Sequence, residues 1–392
     1  MTSKSMKFIK KLTVTILFLF STNLYSQTYL NNEFIYFLDE PAGFESVETG
    51  DERSSVLEST FLPVTIISKI IDNTKFNNET EICKTNLAKL GAEYYTDTYK
   101  WNGKDSVIAN FNMTLDQKYT GWAVCTPSKD DKYYILILAY APSENSDVYE
   151  KVMLSALNGL CVDWDFYCTP GIVATYAYPQ EDEVDLLIDI DDNQIKTKMY
   201  LSDLDASKFV VDLEYNVLRL YAKRADVQVA WERYYRNIYR DNFGRVCTAV
   251  EDIVKELYPI AEKENFSNPD LVLAQKLLSW IQTFEYKRAA NTSDSDFTTL
   301  PAVLYGEGND CDSRSMLMCA FLRVMGKDAV LLISPEFSHA MVAGELNGFG
   351  QKYKIPGTEL EFLMGETTAK VNWGTIAKDF ADRSKWFPVI IP

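Results

Sequence analysis

Residues 306–326, GEGNDCDSRSMLMCAFLRVMG, carry the clearest structural signal in the last part of this chain. A glycine-containing loop leads into Asn309 and Asp310, either of which can cap a helix. The following residues, Cys311 to Met325, are apolar on nearly every side, and Gly326 is a natural stop. The pattern predicts a buried central helix with a thiol in its first turn, where the helix dipole favours the thiolate.

The chain of 392 residues contains a single histidine, His339, downstream of this cysteine. A carboxylate, Glu366, follows later, with Glu359 and Glu361 as rivals for the same role. Thiol enzymes use a cysteine, a histidine and an orienting carboxylate in this order. The imidazolium would stabilise the thiolate and later protonate a leaving amine, and the carboxylate would fix the ring tautomer. No second imidazole exists for a histidine-based zinc site or another acid–base pair.

Residues 246–392 resemble the transglutaminase-like superfamily. Its bacterial members carry D-C-[DE]-x-[RKH]-[SA], a helix ending in glycine, a strand with histidine, and a strand with Asp or Glu before Thr. The matching segments here are Asp310-Cys311-Asp312-Ser313-Arg314-Ser315, Gly326, Ser338-His339-Ala340 and Gly365-Glu366-Thr367-Thr368. The resemblance implies a papain-like domain with Cys311 as nucleophile, His339 as base and Glu366 as orienting acid. Glu366 stands where Asp is commoner in the family.

Acyl transfer by a thiol also needs donors for the oxyanion. The Cys311 backbone N–H is one expected donor. Gln282 or Trp280, upstream of the cysteine, could supply a side-chain donor, and the sequence favours Gln282 over Trp280. No metal or organic cofactor is implied.

The N-terminus predicts a cleaved secretory signal over residues 1–26. A basic segment, Met6 to Lys11, precedes the apolar run Leu12 to Phe20 and a polar exit ending at Ser26. The apolar run is shorter than the roughly 20 residues that a membrane span requires, and no later stretch is long and apolar enough. The protein is therefore expected to be secreted or periplasmic, without a membrane span.

The formal net charge of −17 becomes more negative when the signal lysines are removed. Such a surface repels phosphate backbones and argues against a nucleic-acid partner, whereas a neutral or cationic peptide fits. Seven cysteines remain, so at least one thiol stays free in an oxidising compartment, and Cys161 with Cys168 is the most plausible local disulfide.

Hydrophobic periodicity divides the rest of the chain into three units. Residues 27–180 read as a mixed α/β unit of unassigned family, 181–245 as a hairpin plus helices, and 246–392 as the transglutaminase-like unit. The predicted helices are 79–95, 147–160, 204–221, 229–239, 250–264, 269–286 and 311–325; the predicted strands are 107–115, 132–141, 171–178, 184–190, 194–201, 328–333, 338–345 and 361–368. Tyr234, Tyr235 and Tyr239 recur at helical spacing, which indicates a buried helix face more than a carbohydrate-binding strip.

The predicted fold is α+β, with the cysteine-bearing helix packed on an antiparallel sheet. The predicted function is hydrolysis of a peptide or protein amide through a thioester, because water outside the cell is more abundant than any amine. Two alternatives stay open: a transglutaminase that transfers the acyl group to an amine, and a non-catalytic binding or scaffold protein on a degenerate fold of this kind.

Overall fold

A computed structural model describes residues 29–31, 36–163, 167–288 and 295–391. The predicted signal, residues 1–26, lies outside these ranges. The described chain is mixed α and β with antiparallel sheets, which confirms the predicted α+β class. Among the described residues, no helix is both long enough and apolar enough to cross a membrane.

The first unit is built around a seven-stranded antiparallel sheet. Its elements in chain order are β1 (Tyr29–Asn31), β2 (Tyr36–Leu38), β3 (Phe44–Val47), β4 (Ser54–Ser59), β5 (Thr65–Asp72), α1 (Glu79–Lys89), β6 (Glu93–Trp101), β7 (Lys104–Thr114), β8 (Lys118–Pro127), β9 (Tyr133–Pro142), α2 (Ser146–Asn158) and β10 (Leu160–Cys161). The large sheet has the order β3-β4-β5-β9-β8-β7-β6, and β1, β2 and β10 form a small separate sheet. Helix α1 covers one face of the large sheet, and the other face joins the main core of the molecule.

Two predictions in this unit are wrong for identifiable reasons. The helix predicted over 79–95 ends at Lys89, because Gly91 takes a left-handed φ of 65° that turns the chain into β6. The strand predicted over 171–178 is instead the helix α3 (Ile172–Ala177). The side-chain oxygen of Asn158 accepts hydrogen bonds from the N–H groups of Val173 and Ala174, so a tertiary contact caps this helix.

The local disulfide predicted between Cys161 and Cys168 is not formed in the structure. The Cys161 thiol donates a hydrogen bond to the backbone oxygen of Asp163 at 2.9 Å. Spacing in the sequence indicated that these two cysteines are close along the chain, but it does not fix the direction of either side chain.

The middle of the chain contains the predicted hairpin and two long helices. The hairpin is β11 (Glu183–Ile190) with β12 (Asn193–Tyr200), followed by α4 (Ser202–Arg219) and α5 (Val227–Glu264). The helices predicted over 229–239 and 250–264 are one continuous helix of 38 residues, so the predicted boundary between residues 245 and 246 falls inside α5. Gly244 does not break the helix. It provides room for the passing loop, since a Cβ atom there would lie 2.7 Å from Pro170 Cδ.

Buried ion pairs attach α5 to the elements around it. Arg236 holds Asp39 of the first unit with a contact of 2.6 Å, and Arg233 holds Glu214 of α4 at 2.6 Å. Farther along α5, Arg245 contacts two buried carboxylates. The tyrosines predicted to form a buried face of this helix are indeed buried. The long helix therefore belongs to the cores of both the first and the last unit.

The last unit places a helix against a five-stranded antiparallel sheet. Its elements are α6 (Pro269–Ile281), α7 (Leu300–Leu304), α8 (Cys311–Val324), β13 (Ala329–Ser334), β14 (His339–Gly344), β15 (Lys352–Lys354), β16 (Glu361–Gly365) and β17 (Phe387–Ile390). The strand order is β15-β16-β14-β13-β17, and α8 packs on β13 and β14. The predicted helix at Cys311 and the strands predicted over 328–333 and 338–345 are confirmed to within a residue. The strand predicted over 361–368 ends at Gly365, and the helix predicted over 269–286 ends at Ile281. The short strands β15 and β17 were not predicted.

Candidate active site

Cys311 is the first residue of α8, and its side chain is fully buried. Asp310 caps the helix: its Oδ1 accepts the Ser313 N–H at 3.1 Å and the Ser313 hydroxyl at 3.0 Å. The first N–H groups of a helix have no acceptor within the helix. The Cys311 N–H can therefore donate a hydrogen bond to the oxyanion that would form on a carbonyl attacked by the thiol.

His339 and Glu366 come together because β14 and β16 are neighbours. His339 opens β14, and Glu366 directly follows β16, whose last residue pairs with Val342 of β14. His339 Nε2 and Glu366 Oε2 lie 2.9 Å apart. Of the rival carboxylates, Glu359 instead contacts Lys354 at 2.9 Å. The structure thus brings the histidine to the carboxylate that the family resemblance implied.

Glu366 is held as a carboxylate. Its Oε1 accepts the N–H and the hydroxyl of Thr368, each at 2.7 Å. Burial acts to raise the pKa of Glu366, but the hydrogen bond and charge of His339, together with Thr368, hold that pKa below its usual range. Glu366 is therefore ionised at neutral pH and can stabilise an imidazolium at His339.

Two aromatic rings pack against the His339 imidazole, and only one of its two nitrogens contacts Glu366. The His339 ring packs on Phe380, with centroids 4.8 Å apart, and against the edge of Trp386 at 6.1 Å. Because Nε2 contacts Glu366, Nδ1 is the nitrogen that remains for the thiol. The backbone N–H of Ala340, the next residue, lies near enough to Cys311 to act to lower the pKa of the thiol, which places the thiol beside the start of β14.

The thiol itself points to another partner. Cys311 Sγ donates a hydrogen bond to Asp312 Oδ1 at 3.1 Å, and within the described residues no hydrogen bond joins Sγ to the His339 ring. Burial, followed by the charges of Asp312 and Asp310, raises the pKa of Cys311 well above its ordinary value. The expectation that the helix dipole would favour a thiolate is wrong for this arrangement, because desolvation and two carboxylates outweigh the dipole.

Gln282 does not take the role predicted for it, whereas the role of Trp280 as a side-chain donor stays a prediction. Gln282 Nε2 donates to the backbone oxygens of Glu366 at 2.7 Å and Val371 at 3.0 Å, so both amide hydrogens are used. Trp280 packs its ring edge-on against Phe284, with centroids 4.7 Å apart. Gln282 therefore fixes the segment that carries Glu366 and has no free hydrogen for an oxyanion.

Replacing Gln282 with alanine is expected to lower the free energy of unfolding by about 1–3 kcal/mol, since two carbonyl oxygens lose their shared donor in a buried site. Chemical denaturation measures this loss. The matched control is Gln194→Ala on the exposed hairpin, which should stay within about 0.5 kcal/mol of wild type. Equal stability of the two variants would contradict a positioning role for Gln282.

Arg314, next to the thiol, has a role that the sequence did not reveal. It is buried and donates to Asn309 Oδ1 at 2.6 Å, to the Phe284 oxygen at 2.7 Å and to the Thr367 oxygen at 3.4 Å. It thereby ties the loop before Cys311 to the exit of α6 and to the end of β16. A basic residue three positions after the cysteine belongs to the family motif, and this was the one signal available in the sequence.

Tyr286 lies at the mouth of the site. Its backbone pairs with Asn309, and its side chain is half exposed. Burial and the neighbouring Cys311 raise the pKa of the Tyr286 phenol to about 12. The phenol therefore stays protonated at neutral pH and can donate a hydrogen bond next to the reacting sulfur.

Comparison with known proteins gives no functional assignment. No family model matches the chain, and no curated protein matches it. Among solved structures, similarity is found to the cyanobacterial PsbP protein CyanoP of Synechocystis sp., with 14% identity over 36% of this chain and 95% of that one and a TM-score of 0.30. The Ran-binding protein Mog1p of Saccharomyces cerevisiae matches at 10% identity over 36% of this chain and 98% of its own, with a TM-score of 0.28. A Bacteroides thetaiotaomicron protein matches at 8% identity over 57% of this chain and 79% of its own, with a TM-score of 0.27.

Proposed function

We propose that the protein is a secreted or periplasmic thiol-dependent amide hydrolase that uses Cys311, His339 and Glu366. The observation that carries the proposal is the His339–Glu366 contact of 2.9 Å beside the helix that begins with Cys311. A lone histidine bound to a buried carboxylate, with its second nitrogen free, is the arrangement that activates a thiol in cysteine hydrolases.

The chemistry follows from these groups. The Cys311 S–H proton passes to His339 Nδ1, and the thiolate attacks the amide carbonyl carbon. The oxyanion that forms is met by the Cys311 N–H, while Tyr286 is a second donor within reach. His339 then protonates the departing amine, which leaves a thioester on Cys311. Water, deprotonated by His339, attacks the thioester, releases the carboxylic acid and restores the thiol.

The charges near the thiol favour a cationic peptide or protein substrate. Asp310 and Asp312 flank Cys311, and Asp296 lies near enough to influence the titration of both. The same acidic surroundings would also attract a primary ammonium group. Transfer of the acyl group to an amine, as in a transglutaminase, is therefore the second candidate function.

The proposal is tested by trapping the thioester. The protein is mixed with a peptide amide library, with or without a fluorescent primary amine, quenched in acid and analysed by mass spectrometry. An acyl adduct on Cys311 is expected in the wild type and in Cys319→Ala, whose thiol is buried on the same helix. The adduct should be missing in Cys311→Ala. Amine incorporation into the product would identify the transferase. If the wild type forms no adduct and turns over no substrate, the result argues against an enzyme and favours a binding protein.

A further inference from the structure

The residue after the proposed nucleophile has no role in the acyl-transfer steps above, yet it holds the thiol. Asp312 Oδ1 accepts the Cys311 thiol at 3.1 Å, and Asp312 Oδ2 accepts a hydrogen bond from the hydroxyl of Tyr235. Tyr235 lies on α5 and is 3% exposed. Its ring is fixed by Tyr234, at 5.0 Å between centroids, and by a stacked Trp231 at 5.7 Å. A rigid aromatic cluster outside the papain-like sheet therefore orients Asp312.

We propose that Asp312, oriented by Tyr235, is a latch that holds Cys311 as a protonated resting thiol. Turnover then requires the S–H group to leave Asp312 and pass its proton to His339 Nδ1, giving thiolate and imidazolium, while Asp312 keeps its charge and its bond from Tyr235. The proposal rests on the proposed function for the identity of the proton acceptor. The latch itself rests on the contacts of Cys311, Asp312 and Tyr235.

The two carboxylates on either side of the thiol differ in how they are held. Asp310 is buried, its Oδ2 has no hydrogen-bond partner among the described residues, and burial together with Asp312 raises the pKa of Asp310 to about 7. The pKa of Asp312 is also raised by burial, although the hydrogen bonds from Tyr235 and Cys311 oppose the shift. Hydrogen bonds reach both oxygens of Asp312 but only Oδ1 of Asp310, which favours Asp312 as the site of a negative charge shared by the pair.

Other titratable or charged groups face this cluster from the elements packed around it. They are Tyr234 and Tyr235 of α5, Tyr286 and Arg288 after α6, Asp296 before α7, Arg314 of α8 itself, and His339 with Glu366 at the sheet. Of these groups, Asp296 gives the comparison that the test needs, because it adds negative charge to the cluster without a hydrogen bond to the sulfur.

The test measures the ionisation of Cys311 without needing a substrate. The rate of alkylation of Cys311 by iodoacetamide is followed against pH by peptide mass spectrometry, which separates this cysteine from the other six. Asp312→Asn keeps the shape and removes the charge, so it should raise the rate near neutral pH by about tenfold or more, because each unit by which the thiol pKa falls increases the thiolate fraction tenfold. Tyr235→Phe should raise it less, by roughly twofold or more, since Asp312 then carries its charge less readily.

Asp296→Asn is the matched control, because it removes one negative charge from the same cluster without touching the sulfur; its rate should stay within about twofold of wild type. An Asp312→Asn rate within about twofold of wild type, in a protein with unchanged circular dichroism, overturns the latch. If Asp312→Asn does not fold, an unchanged rate in Tyr235→Phe overturns it. His339→Ala separates the two proposals. If the pH profile of Cys311 alkylation is unchanged in His339→Ala but shifted in Asp312→Asn, the latch is supported and the proposed triad is rejected.

Discussion

Replacing His339 with alanine is expected to lower kcat/KM for an amide substrate by on the order of 10² to 10⁴, the usual consequence of losing a general base. The fold should survive, because the ring lies at the end of β14, where it contacts Phe380, Trp386 and Glu366 and contributes little to the main core. The measurement is turnover of the best peptide found by thioester trapping, with circular dichroism to confirm folding. Equal kcat/KM in the wild type and in the folded His339 variant would be enough to reject the catalytic assignment.

Glu366→Gln should lower kcat/KM by a smaller factor than loss of the imidazole does. An amide oxygen can still accept the Nε2–H hydrogen bond and orient the ring, but it no longer offsets the charge of the imidazolium. The same turnover assay measures the difference. The matched control is Glu361→Gln, which changes a solvent-exposed carboxylate at the other end of β16 and should leave kcat/KM unchanged. A Glu366 variant as active as this control would remove Glu366 from the proposed triad.

The sequence predicted the last unit well because its signals are local. An N-cap at Asp310, an apolar helix and a glycine stop define α8, and runs of apolar residues bounded by polar turns define β13 and β14. The pairing of His339 with Glu366 followed from a family pattern. Its physical cause is the adjacency of β14 and β16 in the sheet, which the sequence does not show directly.

What could not be predicted depends on contacts between distant residues. Asn158 caps α3 from across the fold, Gln282 is occupied by backbone oxygens 84 and 89 positions away, and Tyr235 reaches Asp312 from a different unit. The Cys311 thiol contacts the adjacent residue Asp312, whose orientation depends on the distant Tyr235. The helix dipole depends only on the local backbone, whereas the burial that raises the pKa of this thiol comes from packing across the fold.

Replacing Arg245 with methionine is expected to lower the free energy of unfolding by about 3–5 kcal/mol, because two buried carboxylates lose their counter-charge. Arg245 contacts Asp203 of α4 at 2.6 Å and Asp241 of α5 at 2.7 Å, and all three side chains are almost fully buried. Burial already raises the pKa of Asp203 although Arg245 opposes the shift. Methionine fills similar volume, so the loss measured by chemical denaturation reports mainly the unpaired charges.

The same substitution tests whether the units on either side of residue 245 unfold together. Since α5 runs through this position without a break, the variant should lose the sheet of the first unit and the environment of Cys311 in a single transition. The matched control is Arg53→Met, which removes a partly exposed ion pair with Asp72 and should lower the free energy of unfolding by no more than about 1 kcal/mol. The loss of unfolding free energy in the Arg245 variant should become smaller as pH falls. Without Arg245 the pKa of Asp203 rises further, and protonation of Asp203 then removes an uncompensated charge from the folded state. A deficit that is independent of pH would show that packing, and not charge, makes Arg245 important for this fold.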